Sequence, residues 1–375
     1  MSYGRHLRLV TLASICLGIG DASAAGAQVV AVSPLVVAAT QALPIAHIPK
    51  RPGSPPVIVV VAQSNAVLSD FVVPYGVLAQ SGAAKVIAVN MVDGPLKTGP
   101  LTLLPDMTAS EFDQRYPEGA DYVIVPATAD KHSEEIRWLR AQHSRGAALV
   151  SICDGVELLA EAGVLDGRRA TGHWASLKDR RTHYPKVTWL ADLRYVADGD
   201  VASSAGVSAA LPISLALVQT IAGAEAARAT ADRLGVASWD AKHDSTVFKV
   251  RRDDRAVHRV NMKAHSDVVA LTVHDGEDEV ALALHAEAWF RTMRDDVRLV
   301  SDTGGPVRLR GGLRVETAAM VSVTPDVRIA LGGSAPAGTA LPAAFDRIVQ
   351  RYGPGSARLA ALAMEYPWGD LKAPR

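Results

Sequence analysis

The hydrophobic positions of residues 57–163 come in two rhythms. Short, nearly unbroken apolar runs occur at VIVVVAQ (57–63), KVIAVN (85–90), DYVIVPAT (121–128) and AALVSI (147–152). Runs of this length, rich in β-branched residues, predict strands buried on both faces. Between them lie segments with helical spacing. SDFVVPYGVLAQSG (69–82) predicts a helix ending near Gly82. SEEIRWLRAQHSRG (133–146) predicts an amphipathic helix with Ser133 as N-cap, two glutamates in its first turn and Gly146 at its end. Another helix follows Cys153 and closes at Gly163. Strands alternating with helices predict a parallel sheet covered on both sides, an α/β domain spanning residues 57–224.

After Gly223 the pattern changes. Segments such as TVFKVRR, VVALTVHDG, DEVALALHA and VRLVSD, a Pro/Ala-rich stretch and a final helix, AAFDRIVQRYG, predict a C-terminal α+β domain over residues 226–375. One echo links the halves. GPLKTGPLTLLPD (94–106) and GPVRLRGGLRVET (305–317) align with one insertion, and each follows a strand-like segment. Chance likeness of two Gly-Pro turns and a shrunken, cysteine-free copy of part of the first domain are both open readings. ATADRLGVASWD (229–240) carries few basic residues and is expected to be a packing helix.

The N-terminus adds a second layer. Arg5, His6 and Arg8 precede a twelve-residue apolar run and small-residue sites, the layout of a signal-like leader over residues 1–27. Residues 28–56 hold a second apolar stretch and a Pro-rich linker, PKRPGSPP, so export or membrane anchoring is expected, with a cytoplasmic location as the alternative.

Composition narrows the classes of function. Apolar residues make up 49% of the 375 and charged residues 21%, too apolar for disorder. Lys plus Arg and Asp plus Glu are 39 each, which argues against a nucleic-acid surface. The eleven histidines are scattered, with no metal-ligand spacing, no phosphate-binding glycine loop and no dinucleotide fingerprint. Neither a metal nor a cofactor is expected.

Only Cys16 and Cys153 are cysteines, and Cys16 lies in the leader-like segment. Cys153 falls where a buried strand gives way to a helix, at the sheet edge where open α/β sheets bind ligands. There the helix N-terminus would lower the thiol pKa by about a unit or more from ~8.5. Gly155 would let the Ile-Cys-Asp-Gly turn form without a Cβ clash.

The segment ICDGVELLAEAGVLDGRRATGHW (152–174) resembles the core motif of the ThiJ/PfpI family, within the class I glutamine amidotransferase-like superfamily. LSDFVVPYGVLAQSG resembles that family's first loop and helix, and RYVADGDVASSAGVSAALPISLALV (194–218) its late strand, glycine turn and closing helix. The resemblance implies a flavodoxin-like sandwich, with Cys153 as nucleophile, Asp70 as its acidic partner and His173 near the pocket. From the residues alone, Asp70 could equally be a helix N-cap, in competition with Ser69, and His173 a structural histidine. Relatives commonly dimerise, so a homodimer is left open.

Three features depart from the family pattern. Asp154 follows the cysteine where relatives often have His or Thr. It would oppose the thiolate, carry a second proton or cap the helix. VIVPAT replaces a Pro-Gly-Gly turn, leaving the backbone of Ala127 and Thr128 to face an oxyanion. The C-terminal half does not resemble the tandem helix-turn-helix of regulator relatives.

Three functions are compatible with these residues. One is cysteine-dependent hydration of an isonitrile or aldehyde, in which Asp154, Ala127, Thr128 and Gly155 line the substrate site. The others are a non-catalytic ligand-binding protein and a redox sensor using Cys153.

Overall fold

The structure is a computed structural model that describes residues 43–46, 49–130, 132–331 and 335–371. The leader and most of the apolar stretch before the linker lie outside the described residues. The end of that stretch is part of the globule. Leu43 and Ile45 are buried, and Leu43 N–H donates to Ala216 O and Thr220 Oγ1. The Pro-rich segment is also tied down. The buried carboxylate of Asp121 accepts from the backbone N–H of Lys50 and Val57 and ion-pairs with Arg51.

The first half begins with β1 (Val57–Ala62), α1 (Leu68–Ser81) and β2 (Lys85–Asn90). A hairpin of β3 (Leu96–Thr98) and β4 (Leu101–Leu104) leads to β5 (Met107–Thr108) and α2 (Ala109–Arg115), which Thr108 and Glu111 cap reciprocally. Then follow β6 (Tyr122–Val125), α3 (Ser133–Ser144), β7 (Ala148–Ser151), a 3-10 turn at Cys153–Gly155 and α4 (Val156–Glu161). An excursion through β8 (Arg169–Ala170), α5 (Leu177–His183) and β9 (Thr188–Trp189) returns to the sheet as β10 (Tyr195–Asp198) and β11 (Val201–Ser204). The closing helix is α6 (Ala210–Leu234).

The strand order is β10-β11-β7-β6-β1-β2-β5, parallel throughout except for the β10–β11 pair. Every residue of β1 is buried, because Val57, Val59 and Val61 enter one core with Phe112 and Trp138 while Ile58, Val60 and Ala62 enter another with α1 and α6. Gly82 takes a left-handed conformation after α1 (φ 69°). Ser133 is not the cap of α3: it is the first helical residue, and His132 before it makes no side-chain cap bond.

The second half contains α7 (Arg252–Lys263), β12 (Asp267–Thr272), α8 (Glu279–Phe290), β13 (Asp295–Ser301), β14 (Gly305–Arg308), β15 (Arg314–Ala319), β16 (Val327–Ala330), α9 (Ala340–Tyr352) and α10 (Pro354–Ala363). Its sheet runs β16-β12-β13-β15-β4-β3, with β14 on β15. The first half's hairpin therefore belongs to the second sheet.

The halves repeat one plan. Val57 pairs with Lys85 and Asp267 with Asp295, so the same parallel register recurs 210 residues on. β6 flanks β1 as β16 flanks β12. Further along, the 3-10 turn Val207–Ala209 and the helix from Ala210 recur 130 residues on, at Ala337–Thr339 and Ala340, both across an Ala-Leu-Pro step. The intervening part is shorter in the second half, and among the described residues nothing there corresponds to β7 or the Cys153 turn. The two hairpins that echo each other in sequence pair through Leu103 and Val315, and α1 packs on α8. The hairpins and these two helices thus each meet their own counterpart, as across the two-fold axis of a dimer, here within one chain.

Candidate functional site

The path of the chain at Cys153 is set by three backbone bonds. Ile152 N–H donates to Val125 O (3.0 Å), Cys153 N–H to Ala205 O (3.1 Å) and Gly155 N–H to Ile152 O (2.9 Å). The turn forces Cys153 to φ 56°, a left-handed value that costs a non-glycine residue on the order of 1–3 kcal/mol. Gly155 has an ordinary φ of −56° and serves a different need. A Cβ there would lie 2.2 Å from Val125 O and 2.8 Å from the Pro126 backbone. Gly155 therefore lets the turn press against β6.

Asp70 sits in the first turn of α1, fully buried. Its Oδ2 accepts from Ala127 N–H at 3.3 Å, and Oδ1 has no hydrogen-bond partner. It is not the N-cap: Val67 holds that position without a side-chain bond. Burial, then the charge of Glu287, push the Asp70 carboxyl well above its usual range, while Arg291 and the Ala127 N–H pull it back. The backbone donor expected to face an oxyanion at Ala127 is thus committed to Asp70. Thr128 is drawn away too, bridging to Ala66 and donating from Oγ1 to Ser64 O.

The thiol departs from expectation in the same direction. Burial first, then the carboxylates of Asp70 and Asp154, push Cys153 well above its usual value. The expected helix N-terminus is weak here. A 3-10 turn intervenes, and α4 has only six residues. A thiol and a carboxyl that are both shifted upward therefore share one buried, electrostatically coupled site.

Asp154 does not line this site as a free charge. Its carboxylate takes a hydrogen bond from Ser176 Oγ (2.5 Å) and an ion pair with Arg180. Arg180 is 1% exposed, lies over the Trp189 ring and donates to His173 O (2.8 Å). Asp154 thus fastens the ATGHW loop to the turn. His173 is buried and accepts from Ala175 N–H through Nδ1 (3.4 Å), while Nε2 has no partner. Burial lowers its pKa, so the ring is neutral at physiological pH.

A cavity of about 190 Å³ is lined by Thr171, Trp174, Arg180, His243 and Glu365 among others. Glu365 comes from the second half in a left-handed conformation (φ 50°) and is 1% exposed. One oxygen accepts from Gly206 N–H (2.7 Å) and Trp174 N–H (3.1 Å), and the other meets His243 Nε2 at 2.6 Å. Arg180, His243, Glu365, Glu287 and Arg291 escape a reading of the sequence, because their partners are distant in the chain. The one local signal is Glu287, a charge inside the otherwise apolar run VALALHAEAW. No group of three or more His, Cys, Asp or Glu that could hold a metal occurs among the described residues.

Residues 56–220 match the DJ-1/PfpI family. The chain is 27% identical over 218 residues to the HTH-type transcriptional regulator CdhR of Pseudomonas aeruginosa, a match covering 56% of this chain and 62% of that one. It is 28% identical over 170 residues to isonitrile hydratase of Pseudomonas putida, covering 42% and 69% respectively. The chain thus spans less than two thirds of the first of these relatives. Among solved structures it is similar to a ThiJ/PfpI family protein from Pseudomonas syringae (22% identity, TM-score 0.44, 49% of this chain and 76% of that one). It is also similar to Drosophila melanogaster DJ-1beta (25%, 0.45, 49% and 100%).

Proposed function

Because residues 56–220 are a DJ-1/PfpI family domain, we propose that this chain is a cysteine-dependent hydratase of small electrophiles, with an isonitrile as the first candidate substrate. The observation that carries this reading is the pairing of a buried Cys153, strained at φ 56°, with a buried Asp70 carboxyl whose hold on its proton burial strengthens. A protonated acid beside a thiol suits a substrate that must gain a proton as sulfur attacks. The relative named isonitrile hydratase supports the choice of substrate.

In the proposed reaction Asp70 gives its proton to the isonitrile carbon while Cys153 sulfur bonds to that carbon. The thiol proton passes to Asp70, leaving a thioimidate. Water then adds to the same carbon, and one of its protons reaches the nitrogen through Asp70. The C–S bond breaks, the hydroxyl proton returns to sulfur, and a formamide leaves with the thiol restored. Incubation with a small alkyl isonitrile, followed by assay for the formamide, tests this. Turnover in the native chain and its loss in Cys153→Ser and Asp70→Asn are expected. No formamide from the native chain would overturn it.

A second reading is a ligand-binding sensor. It is favoured by Ala127, whose N–H is already held by Asp70, and by the regulator among the relatives. Isonitrile binding that raises the melting temperature without turnover would select it.

A further inference from the structure

The second half carries the frame of the first without its reactive turn, and Val280 stands in α8 where Asp70 stands in α1. It nevertheless reaches the site. The N-cap position of α1 offers no side chain to its first-turn N–H groups. Glu287, from α8, fills that gap: Ser69 N–H donates to Glu287 Oε2 (3.1 Å), and Ser69 Oγ reaches Ala283 O (3.4 Å). Arg291, one turn on, holds the other oxygen of Glu287 through Nε at 2.5 Å. Both side chains are almost wholly buried, at 1% and 5% exposure. A buried ion pair of this kind is costly to assemble and is weak support for stability by itself. Here it stands one residue before Asp70, in the helix turn that aims the carboxyl at Ala127.

We propose that Glu287 and Arg291 are positioning residues for the Asp70–Cys153 pair. The second half uses them to fix the first turn of α1 and to set how tightly Asp70 keeps its proton. This deepens the hydratase reading and rests on it for its catalytic meaning. The groups acting on Asp70 are Glu287 and Arg291 from α8, the Ala127 N–H from the loop after β6, and Asp154 from the cysteine turn. Glu287 favours the protonated acid, and Arg291 opposes it.

The test is an infrared titration of the protonated carboxyl band of Asp70 in the full chain, assigned by its absence in Asp70→Asn. Glu287→Gln is expected to lower the midpoint by about half a unit or more, a roughly threefold fall in the ratio of protonated to ionised Asp70 at fixed pH. Arg291→Met should move the ratio the other way, and Arg291→Lys should restore it. If Arg291→Met fails to fold with Glu287 left unpaired, the double variant Glu287→Gln/Arg291→Met removes both charges and should titrate near the native chain. Midpoints unmoved in Glu287→Gln and in whichever Arg291 variants fold would overturn the proposal, even if melting temperatures fall. The two readings separate: moved midpoints without formamide turnover sink only the hydratase, and turnover with unmoved midpoints sinks only the positioning role.

Discussion

Gly223 and Gly353, 130 residues apart, share one backbone conformation: φ 86° and ψ 173° in the first, φ 81° and ψ 168° in the second. Each breaks a helix that begins with the same Ala-Leu-Pro step, and each lets the chain resume as helix at a new angle. The likeness of two dihedral pairs in a region that only glycine occupies comfortably ties the halves together more firmly than their sparse residue identities.

Neither glycine has a neighbour within 4 Å of where a Cβ would stand, so an alanine there would meet only backbone strain. Gly223→Ala and Gly353→Ala should each cost about 1–3 kcal/mol, by similar amounts. Urea unfolding of the two variants measures this; a cost confined to one of them would show that the kinks are not equivalent.

Gly155→Ala should be far more damaging than its dihedral suggests. Its Cβ would meet backbone atoms of Val125 and Pro126 that cannot swing aside, for a loss of about 3 kcal/mol or more. Gly163→Ala, at φ 74° in open space, should cost only about 1–2 kcal/mol. Thermal melts of both variants make the comparison.

Glu135 is buried in the first turn of α3, hydrogen-bonded by Gln63 Nε2, and burial pushes its carboxyl up to about 8. A folded pKa above the unfolded one means that the stability tied to its proton is complete below the ordinary carboxylate range. That stability is lost as pH rises to about 8. Glu135→Gln should flatten this loss and be more stable than the native chain by about 1–3 kcal/mol at alkaline pH. Urea midpoints at mildly acidic and mildly alkaline pH would reveal it; equal slopes would show that Glu135 ionises freely in the fold.

Alkylation of Cys153 by iodoacetamide should keep accelerating with pH beyond ~8.5, where the unfolded chain levels off. Asp70→Asn removes the carboxylate whose charge opposes the thiolate, so its rate should begin to climb at lower pH. A native thiol that levels off below ~8.5 would mean that the turn stabilises the thiolate after all.

Much of the first domain was legible in the sequence, because buried parallel strands must be apolar on both faces and leave unbroken runs. β2 matches KVIAVN residue for residue, and Gly82 ends α1 as its spacing predicted. The Cys153 turn could be placed because a strand ending at Ile-Cys-Asp-Gly leaves few other paths. DEVALALHA was harder: apolar on every side, it could pass for a strand or a helix, and it is α8, packed between α1 and α9.

The sequence by itself determined the sheet, the strand-to-helix turn and the residues that compete for chemistry there, since these follow from local periodicity and glycine placement. The upward shifts of Cys153 and Asp70 come only with tertiary structure. Burial, with the carboxylates of Asp154, Glu287 and Glu365, raises the two groups against the opposing charge of Arg291. The role of the second half was also decided there. A copy that has lost its own cysteine turn can still act on the first through a helix face, and no one-dimensional pattern records which helix that face will meet.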